Sequence, residues 1–182
     1  MLVLAAVLCL LSGCAAHARE PEGLALVRVL GVDGGDHITL TAVCGVQSGQ
    51  EAVRGAVEAS EFCAARSLLP GCGERELALT NLSFIIINKE ADLREVLMEI
   101  LQDREMSPSA TVWVTESAGA LLGAAKDPAG RLEVLSGQGM EAPTVVGALA
   151  ELETTGVVRL PVLKEEDGLL IPDGSVLWEA VP

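Results

Sequence analysis

Residues 82–117, LSFIIINKEADLREVLMEILQDREMSPSATVWVTES, change hydrophobic period twice, and those two changes decide the fold. Phe84-Ile85-Ile86-Ile87 is a continuous apolar run, too short for a helix and rich in isoleucine, as in a strand buried on both faces. From Asn88 the apolar residues Leu93, Val96, Leu97, Ile100 and Leu101 fall on one helical face, with Glu95, Glu99 and Gln102 on the other. Asn88 suits an N-cap, and Glu90 and Asp92 suit the positive end of the helix dipole. Glu90 and Arg94 have the spacing of a stabilising i,i+4 pair. Ser107-Pro108 breaks the helix, and Ala110–Thr115 returns to strand. Strand, helix, strand implies a parallel pair with a right-handed crossover. The turn Asn88-Lys89-Glu90 has no glycine for close phosphate approach and sets a carboxylate where the phosphate would sit. The unit is structural.

Upstream, the β-rich runs Leu24–Val32 and His37–Cys44 flank Asp33-Gly34-Gly35-Asp36. Gly-Gly between such runs predicts a hairpin, because primed turns need φ > 0 at their central positions. A phosphate loop there lacks a lysine and a following helix, and its flanking acids repel phosphate. His37 is then an edge residue beside the turn. In Gln50–Leu69 the residues Ala52, Val53, Ala56, Val57, Ser60, Cys63 and Ala64 recur at spacings of three and four. That spacing predicts a helix with a small-residue face, stopped by Pro70-Gly71.

Downstream, SAGALLGAA (117–125) predicts a short helix, Lys126–Gly130 a turn, and 131–142 a loop. TVVGALAELETTG (144–156) predicts an amphipathic helix, and 157–181 two or three strands. Pro161 and Pro172 cannot donate to a ladder and belong at edges, bulges or strand ends, with turns at Gly168 and Asp173-Gly174. The whole is one α+β (mixed α/β) domain over residues 24–182. Its expected core is a mixed β-sheet with one β-α-β crossover and an N-terminal β-hairpin, with helices packed on the sheet.

The first 23 residues read differently. The apolar run Leu2–Leu11 is shorter than the roughly 20 residues of a transmembrane helix. Followed by small residues, it fits the apolar region and cleavage zone of an export signal. Leu11-Ser12-Gly13-Cys14 resembles the bacterial lipobox, which implies cleavage before Cys14 and lipidation of its sulfur. Residues 1–13 are then a lipoprotein signal peptide and 14–23 a short lipid-anchored tether containing His17. A basic n-region is expected upstream of Met1, since no Lys or Arg precedes Arg19.

The 182 residues carry a formal net charge of −14, with every charged side chain after Cys14. Such a surface repels phosphate backbones and anionic head groups, so neither nucleic acid nor polybasic membrane attachment is expected. Membrane attachment rests on covalent lipid, where two chains anchor stably and one does not. After Cys9 is discarded and Cys14 lipidated, Cys44, Cys63 and Cys72 remain, with no CxxC and no Cys/His spacing for zinc. Cys63 and Cys72 form a disulfide if their Cβ atoms meet; three buried thiols acting as small hydrophobes is the stronger alternative.

Catalytic chemistry is poorly supplied. Two histidines lie in a tether and beside a turn, and Ser12, Ser48 and Ser136 lack the nucleophile-elbow context. The carboxylates occupy polar helix faces, and Glu165-Glu166-Asp167 reads as a solvated charge run in a turn. No tyrosine and two tryptophans argue against an aromatic binding platform. The expectation is a non-enzyme without metal or cofactor.

The order of features from Leu24 resembles the N-terminal domain of the C subunit of bacterial spore germinant receptors, the Ger(x)C family. LALVRVLGVDGGDHITLTAVCG is similar to the strand and Gly-x-Asp turn that follow a lipobox there. LSFIIINKEADLREVLMEILQDREMSPSATVWVTESAGALL is the closer match, with Gln102-Asp103-Arg104-Glu105-Met106 as a permuted form of an Arg-Asp-x-Glu-like stretch. LPVLKEEDGLLIPDGSVLWEA resembles the strands that close the family's N-terminal domain. The resemblance covers most of this chain but only part of a usual member, implying a truncated member or a shortened paralogue. It implies a non-catalytic, palmitate-bearing lipoprotein on the extracytoplasmic face of the spore inner membrane. Its implied partners are germinant-receptor A- and B-type integral membrane subunits, and its role is in spore germination. The alternative is an unrelated solute-binding or envelope-assembly lipoprotein.

Overall fold

A computed structural model describes residues 24–45, 52–72 and 75–179. Its strands are β1 (Leu24–Asp33), β2 (Ile38–Cys44), β3 (Arg54–Ala59), β4 (Glu76–Ala78), β5 (Phe84–Asn88), β6 (Thr111–Thr115), β7 (Val157–Glu166) and β8 (Leu169–Glu179). The helices are α1 (Phe62–Leu68), α2 (Leu93–Gln102), α3 (Ala118–Ala124), α4 (Pro128–Gly137) and α5 (Val145–Thr155), with a 3-10 turn at Leu69–Gly71. All eight strands belong to one mixed sheet in the order β3-β2-β1-β5-β6-β7-β8, and β4 pairs with the start of β1. Its centre, β1-β5-β6-β7, is parallel, and antiparallel hairpins add β2 and β3 on one side and β8 on the other.

The isoleucine run is buried on both faces as its composition requires: Ile85, Ile86 and Ile87 are fully buried. Alternation then sends its side chains to two cores. Ile85 and Ile87 join Leu30, Val32, Val112 and Val114 under α1, α2 and α5, whereas Ile86 joins Val29, Trp113 and Leu163 under α3 and α4. Trp113, fully buried, donates its indole N–H to Thr111 Oγ1 at 2.9 Å, so the ring costs no lost hydrogen bond. Gly31 lets α3 lie close on β1, since a Cβ there would sit 2.7 Å from Leu122 Cδ1 and 3.1 Å from Ala118 Cβ.

The parallel β5-α2-β6 unit, the β1–β2 hairpin and the helix at 145–155 match the sequence reading. Two further parallel neighbours, β1–β5 and β6–β7, extend it. Pro161 stands at a register shift of β7, and Pro172 lies in the edge strand β8.

Several readings are corrected. The helix expected over Gln50–Leu69 is instead strand β3 followed by the seven-residue α1. In β3, Gly55, Val57 and Ala59 face the sheet's core side while Arg54, Ala56 and Glu58 are exposed, so a period of two wins over the three-and-four spacing. Residues 131–142, read as loop, begin inside α4, which starts at Pro128 with Asp127 as its N-cap; Asp127 Oδ1 accepts from Gly130 N at 3.1 Å. The N-cap of α2 is Asp92 rather than Asn88, with Asp92 Oδ1 accepting from Glu95 N at 3.0 Å. Arg94 pairs with Glu153 of α5 at 2.6 Å, tying two helices together where an intrahelical pair with Glu90 was expected.

Candidate functional site

Open α/β sheets bind ligands in the crevice beyond the carboxyl ends of their parallel strands. Here β1 ends at Asp33, β5 at Asn88 and β6 at Thr115. Asp33 directs its carboxylate at the start of α3, where Oδ1 accepts from Ala118 N and Oδ2 from Gly119 N, both at 2.7 Å. Ser117 Oγ takes a third donor, Ala120 N, at 3.3 Å. The orphan N–H groups that make a helix start attractive to an anion are thus satisfied from within the chain.

Asn88 does comparable work one strand over. Its Oδ1 accepts from Gly34 N at 2.8 Å and Ala91 N at 3.0 Å, while Nδ2 donates to Gly34 O at 3.2 Å. One buried amide therefore fastens the β1–β2 turn to the β5–α2 turn. Gly34 is required by closeness, since a Cβ would lie 2.4 Å from Ala91 Cα, and only Gly35 in this turn has a left-handed φ (+147°). The loop is therefore wider than the primed two-residue turn expected, with Asp33 facing Thr39 across it. His37 is exposed beside it. Lys89 and Glu116 pair across the top of the crevice.

Other charged groups also act between elements. Arg54, at the start of β3, donates from Nε to Leu122 O at 3.2 Å and from Nη2 to Ala125 O at 2.6 Å, closing the carboxyl end of α3. Arg66 on α1 forks to Asp103 at 2.7 Å and Glu105 at 2.6 Å. That fork uses the QDREM stretch, which nothing in its local spacing assigned to Arg66. Of the Glu165–Asp167 run, Glu165 and Glu166 end β7 and only Asp167 enters the β7–β8 turn, where Asp167 (φ +55°) and Gly168 (φ +82°) are in the left-handed region and Glu165 accepts from Gly168 N. Beside α2, a shallow hollow of about 350 Å³ is lined by Lys89, Asp92, Arg94, Leu152 and Trp178. Among the described residues no group of three or more His, Cys, Asp or Glu could hold a metal ion.

The cysteines divide three ways. Cys14, with the lipobox-like motif, the signal and the tether, lies outside the described residues. Cys63 is exposed on α1 and Cys72 half-buried after the 3-10 turn, and both are free thiols. Cys44 is buried, and burial pushes its thiol up to about 11, with Cys72 adding to the rise; burial also raises Cys72. Three buried thiols were the stronger expectation, and of the three only Cys44 is buried. Among the described residues no helix is long and apolar enough to cross a membrane. Compared with known proteins, the chain matches no family model, no curated protein and no solved structure.

Proposed function

We propose that the chain is a non-catalytic, membrane-tethered interaction domain: a lipoprotein subunit of a spore nutrient-germinant receptor, anchored through Cys14 on the extracytoplasmic face. The observation that carries the non-catalytic part is the crevice at the carboxyl ends of β1, β5 and β6. Its polar groups, Asp33 and Asn88, are already bonded to backbone groups of α3, the β1–β2 turn and the β5–α2 turn. A site for chemistry needs such groups aimed outward at a substrate. The receptor part draws on the resemblance of the 82–122 stretch and of the lipobox-like LSGC to the Ger(x)C family. It draws also on the unequal charge, which makes covalent lipid the means of attachment.

Two measurements test this. Growth with a labelled fatty acid should mark the chain and fail to mark Cys14→Ser; label that survives the substitution sinks the anchor. Affinity purification of the detergent-solubilised chain should bring down integral membrane subunits of the germinant-receptor A and B types. A lipidated chain that brings down neither supports the alternative, an unrelated envelope lipoprotein.

A further inference from the structure

Cys72 and Cys44 both pack on the core side of the sheet beside Gly55. Cys72 Sγ lies 2.4 Å from where a Cβ of Gly55 would stand, so its sulfur occupies the place of the side chain that Gly55 lacks. Gly55 is paired with Ala42 of β2, and Cys44, two residues along the same strand, donates its N–H to Val53 O at 2.9 Å. Cys44 and Gly55 are therefore diagonal neighbours on one face, positions whose Cα atoms lie roughly 7–8 Å apart with Cβ atoms closer. Both thiols belong to the core beneath α1, Cys44 within it and Cys72 packed against it. Cys63, the other thiol of this region, is exposed.

We propose that Cys44 and Cys72 are an oxidisable pair that closes a disulfide across β2, β3 and the turn after α1, in preference to a Cys63–Cys72 bridge. The electrostatic influence of Cys72 on the Cys44 thiol agrees with this proximity. The oxidant is another disulfide, either a small-molecule disulfide or that of a thiol oxidoreductase. Cys72, the more accessible thiol, loses its proton and attacks one sulfur of the oxidant, breaking that S–S bond and releasing one thiolate. Cys44, deprotonated in turn, attacks Cys72 Sγ in the mixed disulfide and expels the second thiolate. The two protons lost by the cysteines end on the two released thiols, so the chain is oxidised by two electrons and the oxidant reduced by two. Gly55 makes room for the sulfur of Cys72, because a Cβ there would stand 2.4 Å from it.

The test equilibrates the folded full chain in glutathione with about a tenfold excess of the oxidised form, followed by alkylation and peptide mass mapping. The expected product joins the Cys44 and Cys72 peptides and leaves Cys63 alkylated. The link should raise Tm by roughly 7–14 °C over the dithiothreitol-treated chain, as closing a loop of this length implies. Cys63→Ser should keep both the link and the Tm rise, and Cys72→Ser, at a half-exposed position, should fold and lose both. A Cys63–Cys72 link, or alkylation of Cys44, Cys63 and Cys72 alike in the folded chain after equilibration, overturns the proposal.

Discussion

Asp33 shows how one side chain joins sequence to fold. Its carboxylate accepts two backbone N–H bonds at 2.7 Å from a helix that has no acidic residue in its own first turn. Asp33→Asn offers one acceptor oxygen where two are needed, so it should cost about 1.5–3 kcal/mol in urea unfolding. Asp36→Asn, in the exposed part of the same loop, should stay within about 0.5 kcal/mol. A loss at Asp36 equal to that at Asp33 would locate the effect in loop charge rather than in helix capping. Cys44 gives a pH prediction of definite sign. Its folded value of about 11 stands above the ordinary 9.0, so the folded chain holds the proton more tightly than the unfolded one. The stability this contributes is complete below pH 9 and is lost as pH rises towards 11, by about 2–3 kcal/mol. In the reduced protein, Cys44→Ala should flatten the alkaline fall in Tm, and an unchanged slope would assign that fall to other groups.

At the scale of elements, legibility followed how many readings a pattern admits. Phe84–Ile87 and the face Leu93-Val96-Leu97-Ile100 each fit one period only, and both elements formed where expected. Residues 52–64 fit two periods because Ala, Val and Gly suit a close-packed helix or a strand, and the sheet edge beside β2 decided the matter. In the sequence Asp33 reads only as part of a turn, Asn88 as a helix cap, and Arg54 is not singled out, since each acts on backbone groups more than fifty residues away. No local pattern encodes such partners. Two glycines turn this distinction into opposite expectations. Gly123, inside α3, has open space where a methyl group would stand, with no neighbouring atom within 4 Å, and so gains from a side chain. Gly123→Ala should stabilise by about 0.5–1 kcal/mol in chemical denaturation. Gly168 has φ +82° in the β7–β8 turn, and its Cβ would press the Lys126 stem at 3.0 Å. Gly168→Ala should destabilise by about 1–2 kcal/mol. Two changes of the same sign would mean that backbone conformation is not what separates these positions.

Over the described residues, most of the cations are held by the fold and the acidic excess is left to the surface. Arg28, Arg66, Lys89, Arg94 and Lys164 each sit against a carboxylate, and Arg54 and Arg131 against backbone carbonyls. With 26 acidic and 12 basic side chains, many carboxylates have no cation to meet. Salt acts on two opposing terms here. It weakens exposed pairs such as Arg94–Glu153, which contribute about 1 kcal/mol or less each, and it relieves the repulsion among the surplus acids. The second term involves more groups and acts over longer distances, through a screening length that falls from about 30 Å at 0.01 M to about 3 Å at 1 M salt. Sodium chloride should therefore raise the Tm of the chain, by about 2–4 °C per kcal/mol of repulsion removed. The same field governs approach to a bilayer. If Cys14 carries the proposed lipid, Cys14→Ser should stay in the supernatant when sedimented with phosphatidylglycerol vesicles at low salt, and the acylated chain should pellet with them. Sedimentation of the unacylated chain would mean that a surface of this fold binds lipid against its net charge, and covalent lipid would then not be needed to hold it at a membrane.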